Sequence, residues 1–140
     1  MEWNDPNLNR SAYPDLPVGS ISYNEFLQRN TALGSLKIQA SRAQNALPTE
    51  GVRISVIGRF NDARVLFFDG VTDTDGLITG ITLPAPPRAA SLQSDGARRG
   101  ALYQVFASHP DYEPDVYEAE IFEGITSILP VTLRLPQEVI

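Results

Sequence analysis

The sequence predicts an all-β fold: a seven-stranded Greek-key β-sandwich with a short N-terminal helix and a flexible arm. Three observations predict it. Apolar residues recur at every second position in short runs, which is the period of a strand with one buried face; Leu36, Ile38 and Ala40 form one such run, and Tyr103, Val105 and Ala107 another. Turn-forming Gly, Asp, Asn and Pro separate about seven such runs at fairly regular intervals. Residues 48–76, PTEGVRISVIGRFNDARVLFFDGVTDTDG, supply a turn, a strand, a hairpin, a second strand and a Thr-Asp-x-x-Gly turn in succession.

Length and composition bound the possibilities. A chain of 140 residues suits one domain with a core of its own. The absence of Cys excludes thiol catalysis and thiolate metal sites and is compatible with either redox environment. Lys+Arg 11 against Asp+Glu 17 gives a net charge of −6, which argues against nucleic acid as a partner because phosphate binding needs clustered cations. The opening MEWNDPNLNR has acids and Asn where a signal peptide has a basic and then an apolar segment. A membrane span needs a run of about 18 apolar residues, and none occurs. The cytoplasm is therefore the default location.

Residues 1–33 read as an N-terminal arm with a short helix, and residues 34–140 as the sandwich domain. Pro6, Pro14 and Pro17 prevent regular pairing in the arm, although Trp3, Tyr13 and Leu16 are suited to docking on the body. Ser22-Tyr-Asn-Glu25 fits a capping box and predicts a helix over 23–28 that Asn30 ends. The first strand falls at 34–40. Val52, Ile54 and Val56 mark the second, and Val65-Leu66-Phe67-Phe68 a third that is covered on both faces or central in its sheet. Gly58 to Arg64 supplies the hairpin loop between them, and Asp69-Gly70 and Asp75-Gly76 close two further corners. In 77–83, Leu77, Ile81 and Leu83 share a side and Gly80 marks a bend or bulge. Three further strands follow at 102–108, at 116–122 with Tyr117, Ala119 and Ile121 on one face, and at 129–135 with Leu129, Val131, Leu133 and Leu135 on one side.

Residues 84–100, PAPPRAASLQSDGARRG, break this regularity and predict a long exposed connection. It carries Arg88, Arg98 and Arg99 and is the leading candidate for contact with a ligand or partner. Acidic residues from Asp111 to Glu123 interleave with Tyr112 and Tyr117, a surface suited to a basic or sugar-rich ligand as well as to a solvated edge. Asp69, Asp73 and Asp75 gather carboxylates ahead of Gly76; they are turn formers first, with Ca²⁺ coordination as the alternative. They lack the spacing and closing Glu of an EF-hand loop. His109 is the sole His, so sites with two or three imidazoles are excluded, and it has no nucleophile elbow nearby. No catalytic residue and no cofactor other than that Ca²⁺ is expected.

Residues 34–135 resemble the carboxypeptidase regulatory-like domain, a transthyretin-like, broadly immunoglobulin-like sandwich. The matching residues are Pro48-x-x-Gly51-Val52-x-Ile54-x-Val56, Thr72-Asp73-x-x-Gly76-Leu77, and Tyr103-x-Val105-x-Ala107 leading to Tyr112. The family's Gly-Tyr after the last of these is Pro110-Asp111-Tyr112 here. Leu83-Pro-Ala-Pro-Pro87 and Ile121-Phe122-Glu-Gly-Ile-x-x-Ile128-x-Pro130-Val131 are similar to the non-catalytic N-terminal domain of clostridial spore cortex-lytic enzymes and related small Firmicutes proteins. That resemblance implies an accessory role near spore or cell-wall peptidoglycan, without hydrolysis. The expectation is a non-enzymatic binding or assembly module that presents the 84–100 loop to a protein partner or cell-wall glycan. A regulatory or folding-assistance domain for a separate peptidoglycan-processing enzyme is the alternative. An enzyme would need His109 and a carboxylate in one cleft.

Overall fold

The computed structural model describes residues 20–43, 46–91 and 99–136. Helix α1 (Tyr23–Arg29) forms where the capping pattern places it. Ser22 Oγ accepts from the Glu25 amide at 3.0 Å, and Asn30 ends the helix with its own amide and its side chain both donating to Phe26 O. The Glu25 carboxylate pairs with Arg29 one turn on, and Phe26 is the buried residue of the helix.

Strands β1 (Ala32–Arg42), β2 (Leu47–Pro48), β3 (Arg53–Arg59), β4 (Arg64–Val71) and β5 (Leu77–Ala85) follow; then come the single-turn helix α2 (Arg88–Ser91) and strands β6 (Ala101–His109), β7 (Tyr112–Ile121) and β8 (Thr126–Thr132). They make two four-stranded sheets. In the first, β1 pairs antiparallel with β5 and parallel with β8 through the same central residues, so these two lie on its opposite edges. The two-residue β2 extends the β5 side. The second sheet runs β4-β3-β6-β7, all antiparallel. Because β5 belongs to the first sheet while β4 and β6 belong to the second, the chain crosses between layers twice in succession. The result is the expected all-β sandwich.

The core lies between the sheets, where inward residues of one strand face those of another. Leu36, Ile38 and Ala40 of β1 meet Ile54 and Val56 of β3, Tyr103, Val105 and Ala107 of β6, and Ala119 and Ile121 of β7, all nearly inaccessible to solvent. These are the positions that the alternation in the sequence marks.

Several expectations change. Asp69-Gly70 closes no corner: both residues lie within β4, opposite Ser55 and Ile54. β4 is an edge strand and not a central one. Its apolar run is explained by a bulge: Leu66 pairs with Ile57 and Phe68 with Val56, leaving Phe67 as the extra residue, and both Phe67 and Phe68 pack on the core. In β5, Gly80 marks the expected bulge, with φ of +75° and a shift of register with β1. The shift turns Ile78 onto the core in place of Leu77, while Ile81 and Leu83 stay inward as expected. Pro84 pairs within β5, which its edge position tolerates. β8 ends at Thr132, so Leu135 lies beyond it and is exposed.

The Thr-Asp-x-x-Gly turn is stitched to the loop before β3. Buried Thr72 donates its hydroxyl to Thr49 O at 2.8 Å and accepts from the Val52 amide at 3.0 Å. Asp73 Oδ1 accepts from the amides of Asp75 and Leu77. Gly76 has φ of +74°, and a Cβ there would lie 2.3 Å from Ala40 O. Replacing Thr72 by Val strands a buried donor and a buried acceptor and is expected to cost about 1–3 kcal/mol in urea unfolding. Gly76→Ala combines left-handed strain with a backbone clash and is expected to cost about 2 kcal/mol or more. Midpoints indistinguishable from wild type would show that this turn does not anchor the fold.

Candidate functional site

Helix α1 is held against the β3–β4 turn, where the Tyr23 amide donates to Asp62 Oδ1 at 3.0 Å and the Asn61 amide to Ile21 O at 2.9 Å. That placement drives Phe26 into the open end of the sandwich. Its ring lies 4.9 Å from Phe60 and 5.9 Å from Tyr103, whose ring is edge-on to Phe67 at 5.1 Å. Such tilted and edge-to-face contacts suit the quadrupoles of the rings. The Tyr103 hydroxyl donates to Pro84 O at 2.5 Å, tying β6 of one sheet to β5 of the other. Burial pushes the Tyr103 phenol far above its usual range, with a smaller contribution from Tyr23.

Beyond Pro84 the chain turns outward through Pro86 and Pro87 into α2, and both ends of the 84–100 connection are tied down by acidic residues. The Arg88 amide donates to Glu123 Oε1 at 2.7 Å, and the Gly100 amide donates to Glu120 Oε2 at 2.8 Å. Between α1, this connection and the start of β6 lies a cleft of about 700 Å³. Its apolar lining includes Ile21, Phe26, Phe60, Pro86 and Pro87, and among the described residues its charged lining is Arg29, Arg59 and Arg99. Arg29 is ion-paired with Glu25 on the helix surface, and Arg59 and Arg99 each have interactions of their own.

Of the sequence-derived candidates, Arg99 is at this cleft. Arg88 opens α2 close by, and Arg98 falls outside the described residues. Tyr112 and Tyr117 are elsewhere and do not form an exposed platform, because both pack against the core. Tyr112 pairs with His109 at the far end of β7, while Ala101 beside the cleft pairs with Ile121. The intervening strand residues, at about 3.3 Å each, separate the two ends by roughly 25–30 Å. Tyr117 donates its hydroxyl to Thr132 O and accepts from the Thr132 amide, both at 3.2 Å, which joins β7 to β8. Its phenol is raised, by burial first and by Asp115 second.

The three aspartates are not brought into one coordination sphere. Asp69 lies in β4, where Arg53 grips both its carboxylate oxygens and Ser55 Oγ donates to Oδ1 at 3.1 Å. Asp73 closes its own turn, as above. Asp75 borders a depression of about 340 Å³ lined otherwise by Gln39, Ala40, Ser41, Pro48, Leu77 and Pro130. Among the described residues no three His, Asp or Glu side chains cluster closely enough to hold a metal ion. His109 sits at the β6–β7 turn; its Nδ1 accepts from the Asp111 amide at 3.1 Å, and its ring lies 5.1 Å from Tyr112. No helix among the described residues is long and apolar enough to cross a membrane.

Arg29 and Arg59 are members of the cleft that the sequence does not announce. They stand at the end of a helix and the end of a strand, each with a good local reason to be charged; the β3–β6 pairing brings Arg59 towards Arg99, and the docking of α1 adds Arg29.

No model of a known protein family matches the chain, and no curated protein matches it. Solved structures do. The TIE protein of Bacillus anthracis aligns over 74% of this chain and 17% of its own length, with a TM-score of 0.52 and 18% identity. The shaft pilin SpaA of Lactobacillus rhamnosus GG, as its D295N mutant, aligns over 76% of this chain and 49% of its own, with a TM-score of 0.49 and 16% identity. Transthyretin from Sparus aurata aligns over 69% of this chain and 89% of its own, with a TM-score of 0.41 and 18% identity. The chain thus spans less than two thirds of the first two proteins, and at 18% identity the likeness to the TIE protein is one of fold.

The buried phenol generates a pH dependence. In the unfolded chain Tyr103 ionises near pH 10. In the folded chain its pKa is higher, so above that pH the folded state holds a proton that the unfolded state has lost, and stability falls as pH rises. Tyr103→Phe is expected to cost about 1 kcal/mol at pH 7 through the lost hydrogen bond. It should also remove part of the decline above about pH 10 in urea melts, where Tyr117 keeps its own share. Identical alkaline slopes for the variant and wild type would refute this.

Proposed function

We propose that the protein is a non-catalytic binding or assembly module that uses the cleft beside the 84–100 connection to engage an anionic, carboxylate-bearing partner. The observation that carries this reading is the convergence of Arg29, Arg59 and Arg99 on one apolar-lined cleft in a chain whose net charge is −6. Guanidinium groups present forked donors that match carboxylates, while proline and aromatic walls bind the non-polar remainder of a ligand. The pairing that Arg29 makes with Glu25 is of the surface kind, which exchanges at low cost.

Two ligands meet that description, an acidic segment of a partner protein and the peptide-bearing glycan of the cell wall. The resemblance of 83–87 and 121–131 to the non-catalytic domain of spore cortex-lytic enzymes favours peptidoglycan, and with it an association with the spore or the wall. The placement of His109 on a turn, with the Asp111 amide and the Tyr112 ring as neighbours, supports a module without hydrolytic activity of its own.

Co-sedimentation of the purified protein with peptidoglycan from spore cortex and from vegetative wall tests this. Wild type is expected to pellet with at least one of them, less so at higher salt because the contacts are ionic. Arg99→Glu should reduce pelleting several-fold, and replacing residues 86–99 by a short Gly-Ser turn should reduce it further. Retention of the wild type in the supernatant with both preparations would exclude direct wall binding and leave the partner protein as the ligand.

A further inference from the structure

The outer face of the first sheet is open and almost uncharged, and we propose that a second copy of this chain docks on it, face to face and antiparallel. On β1 and β8 the residues Leu36, Ile38, Ala40, Leu129 and Val131 face the core, so their neighbours face outward. Leu33, Ser35, Lys37 and Gln39 therefore stand on the outer side of β1, flanked by Thr126, Ile128 and Pro130 on β8. Leu77 and Thr82 face the same way on β5, because Ile78, Ile81 and Leu83 face inward. Leu33 and Ile128 are 59% and 58% exposed although both are large and apolar. Lys37 is the one charged residue at these strand positions, in a chain that is 20% charged. A face with open aliphatic side chains and so little charge has the composition of an association surface.

The charges at this face select its occupant. Asp75, on the turn before β5, lines the depression of about 340 Å³ together with Gln39, Ser41, Pro48, Leu77 and Pro130. Neither its carboxylate nor Lys37 belongs to the ion pairs among the described residues, which join Glu25 to Arg29, Arg53 to Asp69 and Arg134 to Asp115. Leu77, Gln39 and Pro130 are paired with one another in a single row across β5, β1 and β8. Lys37 and Ile128 form the row about 7 Å to one side of it, and Ser41 stands the same distance to the other. A two-fold axis along the central row exchanges these two sides. It lays Lys37 of each copy over the depression of the other, where the ammonium meets the Asp75 carboxylate, and it sets Ile128 beside Pro130. Sheets packed face to face lie about 10 Å apart, a gap that side chains of this length close from both sides.

Three strands of this length give a face of roughly 15 by 25 Å, so two copies bury on the order of 1,000 Å² in total, the lower limit for a specific interface. The dimer is accordingly weak and depends on concentration. Strand directions oppose each other across the axis, and the cleft opens beside Thr31, just before β1 begins. The pair therefore presents its two clefts at opposite ends, where they can hold two ligands at once. The pairing itself is independent of what the clefts bind.

Sedimentation velocity on the 140-residue chain tests this. Wild type is expected to pass from monomer to dimer between about 10 μM and 1 mM, and to need higher concentrations as salt is added. Lys37→Glu and Asp75→Lys each bring like charges together at two symmetric places and should raise the dissociation constant about tenfold or more. The double variant restores opposite charges and should return the constant to within about threefold of wild type. Ile128→Asp leaves Lys37 and Asp75 unchanged and should also abolish association, with urea midpoints showing that each variant folds. A monomer at every concentration overturns the proposal. A dimer indifferent to all of these variants also overturns it, since association would then use another surface. Single variants that weaken the dimer without rescue in the double overturn the two-fold pairing of Lys37 with Asp75.

Discussion

Tyr103 stands where the constraints on this sandwich meet. A phenol that is 1% exposed must find a partner for its hydroxyl, and the oxygen in reach is that of Pro84, on the opposite sheet. That bond fixes where β5 ends against β6, and hence where the proline-rich stretch leaves the body. The ring side of the same residue supplies the surface on which Phe26 and Phe67 pack. One buried side chain therefore sets the closing of the sandwich end, the docking of α1, and the apolar wall of the cleft between them.

The electrostatics of the cleft depend on charges that are not in it. Glu120 and Glu123 spend their carboxylates on backbone amides at the two ends of the 84–100 connection, a use that neutral residues fill less well. By fixing those ends they hold Arg99 at the cleft on a connection made mainly of small residues and prolines. The acidity of β7 and the basicity of the cleft are thus parts of one arrangement: an acidic chain builds a basic depression by committing its anions to structure nearby. The same economy explains the aspartates. Asp69 is matched by Arg53 across the β3–β4 pair, and Asp73 by amides of its own turn. Both Asp69 oxygens and Asp73 Oδ1 are engaged by the chain's own donors.

Strand identity and core membership were legible in the sequence because both follow from local alternation. Leu36, Ile38, Val52, Ile54, Val56, Tyr103, Val105, Ala119 and Ile121 all read as inward-facing and are buried. Helix α1 was legible because capping is a contact over three residues, and the Thr72 turn because it needs a particular hydroxyl and a glycine. Gly80 was read as a bend or bulge and is one, but two of the misread positions, Phe67 and Leu77, lie where a bulge reverses alternation, since an inserted residue changes which side every later residue faces without changing composition.

What the sequence determined by itself was the class of fold, most of its strands and its short helix, all of which rest on interactions among near neighbours in the chain. Only the tertiary structure decided which strand is an edge, which carboxylates are already engaged, that Tyr112 lies far from the cleft, and that Arg29 and Arg59 stand beside Arg99. Those facts depend on contacts between residues tens of positions apart, created when two sheets close on each other and a helix seals one end. Local pattern carries the period of a strand; it does not carry the identity of the residue waiting across the core.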